Sequence, residues 1–260
     1  MAFSRRVRTD EHLTWRQWDT RSVPDLSGLD ALINLAGEAI DQRWTQERKK
    51  KFRRSRVDLS RHLAEAVDRD GVPVWLNASA VGFYGDRGDE LLTESSAPGS
   101  GYLSELTQEW EEVAVAESAR VVHLRTGVVL GKDGRAWQKM APIFRLGLGG
   151  KFGDGQQFMP WIHLEDEIGG ILHALDQELS GPLNLVGEES VRNVEFTRTL
   201  ADVLRRPAVL PAPAFALKLA LGEFAKEGLL ASMRVQPAAL SLSAYQFRFP
   251  TLRSALADLV

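Results

Sequence analysis

The chain is expected to fold as an α/β protein on a doubly wound parallel sheet, with a smaller α+β lobe at its C-terminal end. Three observations carry this. Short apolar runs end at glycine or at a small polar residue. Helix-length stretches separate those runs, which is the βαβ pattern of a parallel sheet. After Gly131 the texture changes to glycine-rich loops and then a proline-punctuated helical tail. Right-handed crossovers align the carboxyl ends of parallel strands along one edge, where doubly wound sheets bind ligands.

Asp30–Gly37 reads as a short buried strand ending at a glycine, and a long helix follows from Thr45, its N-cap, to Asp68. Val72–Ser79 is a second buried strand, followed by a polar loop from Gly82 to Gly101 and a helix from Tyr102 to Ser118. Arg120–Arg125 is a third strand. The polar strand ends Asn34/Gly37, Asn77/Ser79 and Arg125/Gly127 therefore converge on one crevice. Arg145–Gly150 and Phe152–Gly155 read as glycine-rich loops that suit a mobile lid, and Trp161–Asp166 as a strand running into a helix that ends at Asp176. Pro182–Val186 is a strand, Asn193 caps a helix reaching Leu204, an apolar helix spans Phe215–Phe224, and a short helix follows Pro250. Residues 1–130 with 158–180 are assigned to the sheet domain, and 131–157 with 181–260 to the lobe.

Bulk properties exclude several classes. The 260 residues are 44% hydrophobic and 26% charged, enough for a sizeable core. A net charge of −3 advertises neither nucleic acid nor an anionic membrane. The basic run around Arg48–Arg54 sits in a helical pattern and reads as a solvated face. No cysteine is present, which rules out disulfides and thiolate sites and suits a cytoplasmic location. The five histidines show no metal-ligand spacing, so no metal is expected. No apolar run approaches the roughly 20 residues that span a bilayer.

Several strings, in order, carry a family resemblance: Asn34-Leu-Ala-Gly-Glu38, Ser55-Arg56, Ser79-Ala-Val-Gly-Phe-Tyr-Gly85 and Trp110-Glu111. Arg125-Thr-Gly-Val-Val-Leu-Gly131, Phe144–Gly150, Gly155-Gln156, Trp161-Ile-His163, Asn184 and Tyr245–Pro250 continue it. The chain resembles the atypical extended short-chain dehydrogenase/reductases known as epimerase family proteins. The resemblance implies a Rossmann domain that binds NADP(H), with NAD less expected, and a C-terminal lobe over the crevice. The family opens with a strand and a GxxGxxG turn that seats the pyrophosphate on a helix N-terminus. Here Gly28 is the only glycine before Gly37. Phe3–Arg6 matches the tail of the family's second strand, so about one βα unit, some 30 residues, is expected to be missing upstream. A sheet without that strand exposes unpaired edges, with lower stability or a partner chain covering the gap.

The resemblance implies site residues one by one. Ser4 and Arg5 fall where a hydroxyl and a guanidinium hold an adenosine 2′-phosphate. Leu35, Ala36 and Gly37 would lay backbone against the ribose and pyrophosphate, although Gly37 also reads as an ordinary strand-to-loop glycine. Arg56 and Ala78 would reach the cofactor, and Val128 would pack near the nicotinamide. Ser79 stands at the catalytic hydroxyl position, and Tyr102 at the acid/base tyrosine. Leu106, however, replaces the lysine of YxxxK, so Tyr102 should titrate near 10 and serve poorly as a base. His163 reads equally as a proton shuttle or as a histidine bonded to backbone. Arg125, Gln156, Trp161 and Asn184 are candidates to line a substrate site. Three functions stay open: an NADP-dependent oxidoreductase or epimerase-like enzyme, a non-catalytic NADP sensor, and a truncated form with impaired cofactor binding. The expected partner is a small molecule, with neither nucleic acid nor membrane and with a homodimer left open.

Overall fold

The computed structural model describes residues 1–4 and 12–260. Arg5 and Arg6, singled out above, lie outside the described residues. In chain order the elements are β1 (Ala2–Ser4), β2 (Trp15–Gln17), β3 (Leu32–Asn34), α1 (Gln46–Arg53), α2 (Leu59–Asp70), β4 (Val74–Ala80), β5 (Leu91–Leu92) and α3 (Tyr102–Val113). They continue with β6 (Arg120–Thr126), β7 (Val128–Leu130), α4 (Arg135–Arg145), β8 (Trp161–His163), α5 (Leu164–Asp176) and β9 (Gly181–Leu185). The tail holds α6 (Asn193–Leu204), α7 (Ala214–Leu221), β10 (Arg234–Val235), α8 (Ala238–Leu242) and α9 (Leu252–Asp258).

Among the described residues the main sheet is parallel, in the order β3-β4-β6-β9. Asn34 pairs with Asn77, Ser79 with Arg125, and Arg125 with Asn184. The register therefore lines up the polar strand ends that the sequence places on one crevice. On one face Leu59, Leu63, Ala66 and Val67 of α2 pack with Leu32 and Trp75. Ile171 and Ala174 of α5 pack with Leu76, Val122, Leu124 and Leu183 in a separate cluster. The lobe has its own core, in which Trp137, Phe144, Phe196 and Leu200 meet Leu252 and Leu256 of α9.

β1 and β2 pair with each other as a separate two-stranded sheet, and no ladder joins β1 to β3. Phe3 and Trp18 still pack against the cluster under α2. β3 is thus hydrogen-bonded on one side, to β4, and its Ile33 is 40% exposed.

Four readings are corrected. β9 pairs with β6, so 181–185 belongs to the main sheet and not to the lobe. β8 pairs with β7 in its own two-stranded sheet instead of returning to the main one. The stretch after Gly131 contains a helix, α4, hidden from sequence reading by Pro142 inside it and by the glycines behind it. Asn193 is the first residue of α6, behind Arg192 as cap; its Oδ1 accepts from the Phe152 N–H at 2.8 Å, tying α6 to the glycine-rich loop. Thr45 does cap α1, accepting from the Arg48 N–H. The long helix continues into α2 through a π-turn at Arg54–Asp58.

Asp166, 1% exposed, holds the C-terminal strap onto the sheet domain. Its carboxylate accepts from the Arg248 N–H at 2.7 Å and the Phe249 N–H at 3.0 Å. Replacing it by alanine leaves two buried donors unpaired, each bond to a charged group being worth roughly 1.5–3 kcal/mol. Asp166→Ala should therefore cost about 3 kcal/mol by urea denaturation. A loss below ~1 kcal/mol would show that the strap is held by its apolar contacts alone.

Candidate active site

At the end of β3 the chain exposes its backbone: Leu35 is 61% exposed, and Ala36 and Gly37 are exposed beside it. Asn34 shapes this end. Its Oδ1 accepts from the Ala36 N–H at 3.1 Å, and its Nδ2 donates to Asn77 Oδ1 at 2.7 Å. Ser60 also donates to Asn77 Oδ1, and Trp110 Nε1 donates to Ser60, so strand, helix and neighbouring helix share one buried network.

Arg56 comes from the π-turn, a device that redirects side chains at functional sites. Its guanidinium lies over the Trp110 ring at 5.2 Å and donates to the Glu38 carbonyl at 3.0 Å. A Cβ at Gly37 would meet Arg56 Nη2 at 3.1 Å, so the glycine admits the guanidinium. No carboxylate among the described residues pairs with Arg56, and burial lowers its pKa from the ordinary value. A half-buried cation beside exposed backbone is suited to an anionic group.

Ser79, 5% exposed, sits at the carboxyl end of β4 and donates to Glu111 Oε1 at 2.5 Å. Glu111 is held in turn by Arg125, whose Nε and Nη2 donate to its two oxygens at 2.9 and 2.8 Å. Arg125 also donates to the Tyr84 hydroxyl at 3.0 Å and lies 3.5 Å above the Phe83 ring centroid. Tyr84 donates to Asn184 Oδ1 at 2.7 Å. Burial alone would lower the Arg125 pKa, but the Glu111 hydrogen bonds and charge raise it. Burial likewise raises Tyr84, so the phenol stays protonated as a donor.

The positions proposed for substrate lie in this network or away from it. The Arg125 fork is occupied by Glu111. Asn184 is fully buried, and its Nδ2 donates to the Gln236 carbonyl. Trp161 is 1% exposed and donates to the Glu189 carbonyl. Gln156 is exposed on the glycine-rich loop. Ala78 packs beside the Trp44–Trp110 cluster, and Val128 beside the lobe core. Ser4 lies in β1, on the strand pair apart from the main sheet.

Tyr102 turns away from Ser79. Its hydroxyl donates to the Lys49 carbonyl at 3.2 Å, and its ring packs on Trp44. Burial pushes its pKa up to about 12, not the 10 expected for a free phenol. Leu106 is buried against Trp44, Phe52 and Trp110, an apolar niche that a lysine head could not share. His163 caps α5: its Nδ1 accepts from the Glu165 N–H at 3.2 Å, and the ring stacks on Phe249 at 3.8 Å. Burial lowers its pKa, and Asp258 lies 3.5 Å from Nε2. Its contacts are those of a backbone-bonded histidine in the lobe.

Sequence reasoning missed two groups. Glu111 stood in the Trp110-Glu111 match without a role. Glu167, at the start of α5, accepts from Thr126 at 2.8 Å through Oε1, while its Oε2 is buried without a partner. Burial pushes Glu167 up to about 7.

The parallel sheet and its carboxyl-edge crevice define a Rossmann-like α/β protein. The chain belongs to the NAD dependent epimerase/dehydratase family, whose model matches residues 5–186; a second model, a domain of unknown function (DUF1731), matches 212–259. "Epimerase family protein ML0860" of Mycobacterium leprae is 41% identical over 255 residues, covering 95% of this chain and 82% of that protein. The human "Epimerase family protein SDR39U1" is 36% identical over 252 residues, covering 94% and 86%. A crystal structure of human SDR39U1 (isoform 2) with NADPH superposes with a TM-score of 0.91 at 33% identity, over 99% of this chain and 89% of that one. UDP-N-acetylglucosamine 4-epimerase from Bacillus cereus shares the fold, with a TM-score of 0.76 at 16% identity over 99% of this chain and 87% of that one.

Two substitutions probe this geometry. Glu111→Ala strands the Arg125 charge and should cost on the order of 3–5 kcal/mol, whereas a Glu111→Leu/Arg125→Met pair should cost less than the single change. A double variant worse than the single one would mean that packing, not charge, matters here. For Glu167 the folded pKa of about 7 lies above the ordinary value of 4.5, so the native state binds its proton more tightly. Its contribution is full below pH ~4.5 and is lost as pH rises toward 7, by up to ~3 kcal/mol. Glu167→Gln should therefore stabilise the protein at pH 8 and change little at pH 5, as read by denaturant midpoints at both.

Proposed function

We propose that the chain binds NADP(H) along the crevice and acts as an oxidoreductase or epimerase-like enzyme on a small molecule. The observation that carries this is the Ser79 hydroxyl, set against Glu111 at the carboxyl edge of the sheet. A bound nicotinamide would give or take the hydride. Ser79 Oγ would accept the proton of a substrate hydroxyl while passing its own to the Glu111 carboxylate. The bidentate contact from Arg125 keeps Glu111 oriented throughout. This relay needs neither Tyr102 nor a lysine at position 106.

The residues present fit the cofactor in part. Exposed Leu35–Gly37 backbone and Arg56, which forms no ion pair among the described residues, suit the ribose and a phosphate. NADPH in the crystal structure of the human relative supports the choice of NADP(H). The cysteine-free sequence supports a reducing, cytoplasmic setting.

A second reading, a non-catalytic NADP sensor, is favoured by the buried Leu106 and by the engaged Tyr102 hydroxyl. Calorimetry separates the readings from their failure. NADPH should bind more tightly than NADH, and Arg56→Ala should weaken it at least about ten-fold. Glu111→Gln should leave that affinity unchanged. In a screen of sugar-nucleotide and small carbonyl substrates followed at the nicotinamide absorbance, the same variant should lower turnover roughly 10²- to 10⁴-fold. Binding without turnover of any substrate would select the sensor. Absence of NADPH binding would overturn both.

A further inference from the structure

α7 has the sequence AFALKLAL, and none of its residues is buried. A helix that is apolar all round normally lies inside a core or a membrane. Phe215 and Leu219 are 75% and 76% exposed. The surface extends beyond the helix. Leu146 and Val209 are 74% and 73% exposed, and Ile143, Leu148 and Leu210 are about half exposed. These residues come from two segments that run side by side: the Leu210 N–H donates to the Gly149 carbonyl, Ala212 N–H to the Lys151 carbonyl, and Gly153 N–H to the Ala212 carbonyl. Gly150 permits the approach, since a Cβ there would fall 2.0 Å from the Leu210 carbonyl oxygen.

The charge of this face is one-sided. Residues 134–153 and 203–222 contain no Asp or Glu, but they carry Arg135, Lys139, Arg145, Lys151, Arg205, Arg206 and Lys218. Arg135 and Lys139 are paired with Asp41. Among the described residues Arg145, Arg205, Arg206 and Lys218 have no carboxylate partner, and all four are exposed. Of the bordering carboxylates, Asp202 pairs with Arg253, Glu223 with Lys49, and Asp154 accepts from the Gln156 N–H, while Asp133 stands exposed just before α4.

We propose that this face docks on an anionic lipid bilayer, with Phe215, Leu219 and Val209 entering the interface and the free arginines resting on acidic headgroups. Exposed aliphatic and aromatic side chains ringed by unpaired cations are the composition of a surface-lying membrane element. A second copy of the chain fits poorly, because an isologous contact would set the cations against themselves. A nucleic acid would leave the apolar residues without a partner. The Arg43 guanidinium donates to the Leu219 carbonyl at 2.8 Å, so the docked face adjoins the loop leaving β3. The proposal is independent of the cofactor reading.

The test is flotation of the full chain with two kinds of vesicle, phosphatidylcholine alone and phosphatidylcholine mixed with phosphatidylglycerol. The chain should float with the mixed vesicles, not with the neutral ones, and added salt should release it. Arg205→Gln/Arg206→Gln should lower partitioning about twenty-fold, each cation near an anionic surface being worth about a factor of five. Phe215→Ser/Leu219→Ser should also abolish flotation, and because neither residue is buried the thermal transition should stay in place. No flotation, or flotation that ignores lipid charge and the arginine changes, overturns the proposal. So does a concentration-dependent dimer in analytical ultracentrifugation that Phe215→Ser/Leu219→Ser converts to monomer.

Discussion

A guanidinium carried under the edge of a sheet has to be neutralised, and the way Arg125 is neutralised organises the crevice. Its fork points at Glu111, which α3 presents from the neighbouring face, and its third nitrogen leans on Tyr84. Tyr84 then locks Asn184 on β9, so strands β4, β6 and β9 are tied together at their carboxyl ends by side chains as well as by the ladder. An unpaired charge here would be far more costly than the pair is favourable. The network therefore fixes the carboxylate, and Ser79 is oriented by it because its hydroxyl donates to the same Glu111. Pre-organisation of this kind is what a hydroxyl needs if it is to orient a substrate oxygen.

The other half of the crevice is built differently. β3 ends in exposed backbone, and Arg56, brought beside it by the π-turn, forms no ion pair among the described residues. Desolvation without compensation is unfavourable, which is why Arg56 leans on Trp110 and on a carbonyl. The contrast with Arg125 is that one guanidinium is met by a carboxylate and the other by a carbonyl and an aromatic ring. Among the described residues β3 has a ladder only to β4; packing under α2, to which Phe3 and Trp18 contribute, and the Asn34–Asn77 bond support this region.

The sheet is legible in the sequence because buried parallel strands read as apolar runs and end in polar residues; Asn34, Ser79 and Arg125 mark its carboxyl edge. What was not legible follows from contacts between distant residues. Arg125 looked like a substrate ligand because its partner, Glu111, lies on a helix, and spacing alone cannot show which way a fork points. Tyr102 kept the family's position, but its hydroxyl follows α1, a contact set by the packing of Trp44 and Phe52. β9 was placed in the lobe because only its pairing with β6, not its composition, assigns it to the main sheet. Helix α4 is hidden by Pro142, which reads as a breaker but lies inside the helix.

Net charge was a similar case of averaging. A value of −3 suggests no attraction to anionic surfaces, yet the acids and bases are not mixed evenly along the chain. Asp41 draws in Arg135 and Lys139 at the rim of the crevice, joining the loop after β3 to α4. Those two cations therefore bind the lobe to the sheet domain. Arg145 at the end of α4, Arg205 and Arg206 after α6, and Lys218 on α7 are left outside that contact. Fields near a surface fall off within about 8 Å at physiological salt, so a partner senses these four and not the whole molecule's balance. The loop after β3 reaches α7 directly, the Arg43 guanidinium donating to the Leu219 carbonyl, so whatever covers α7 also borders that loop.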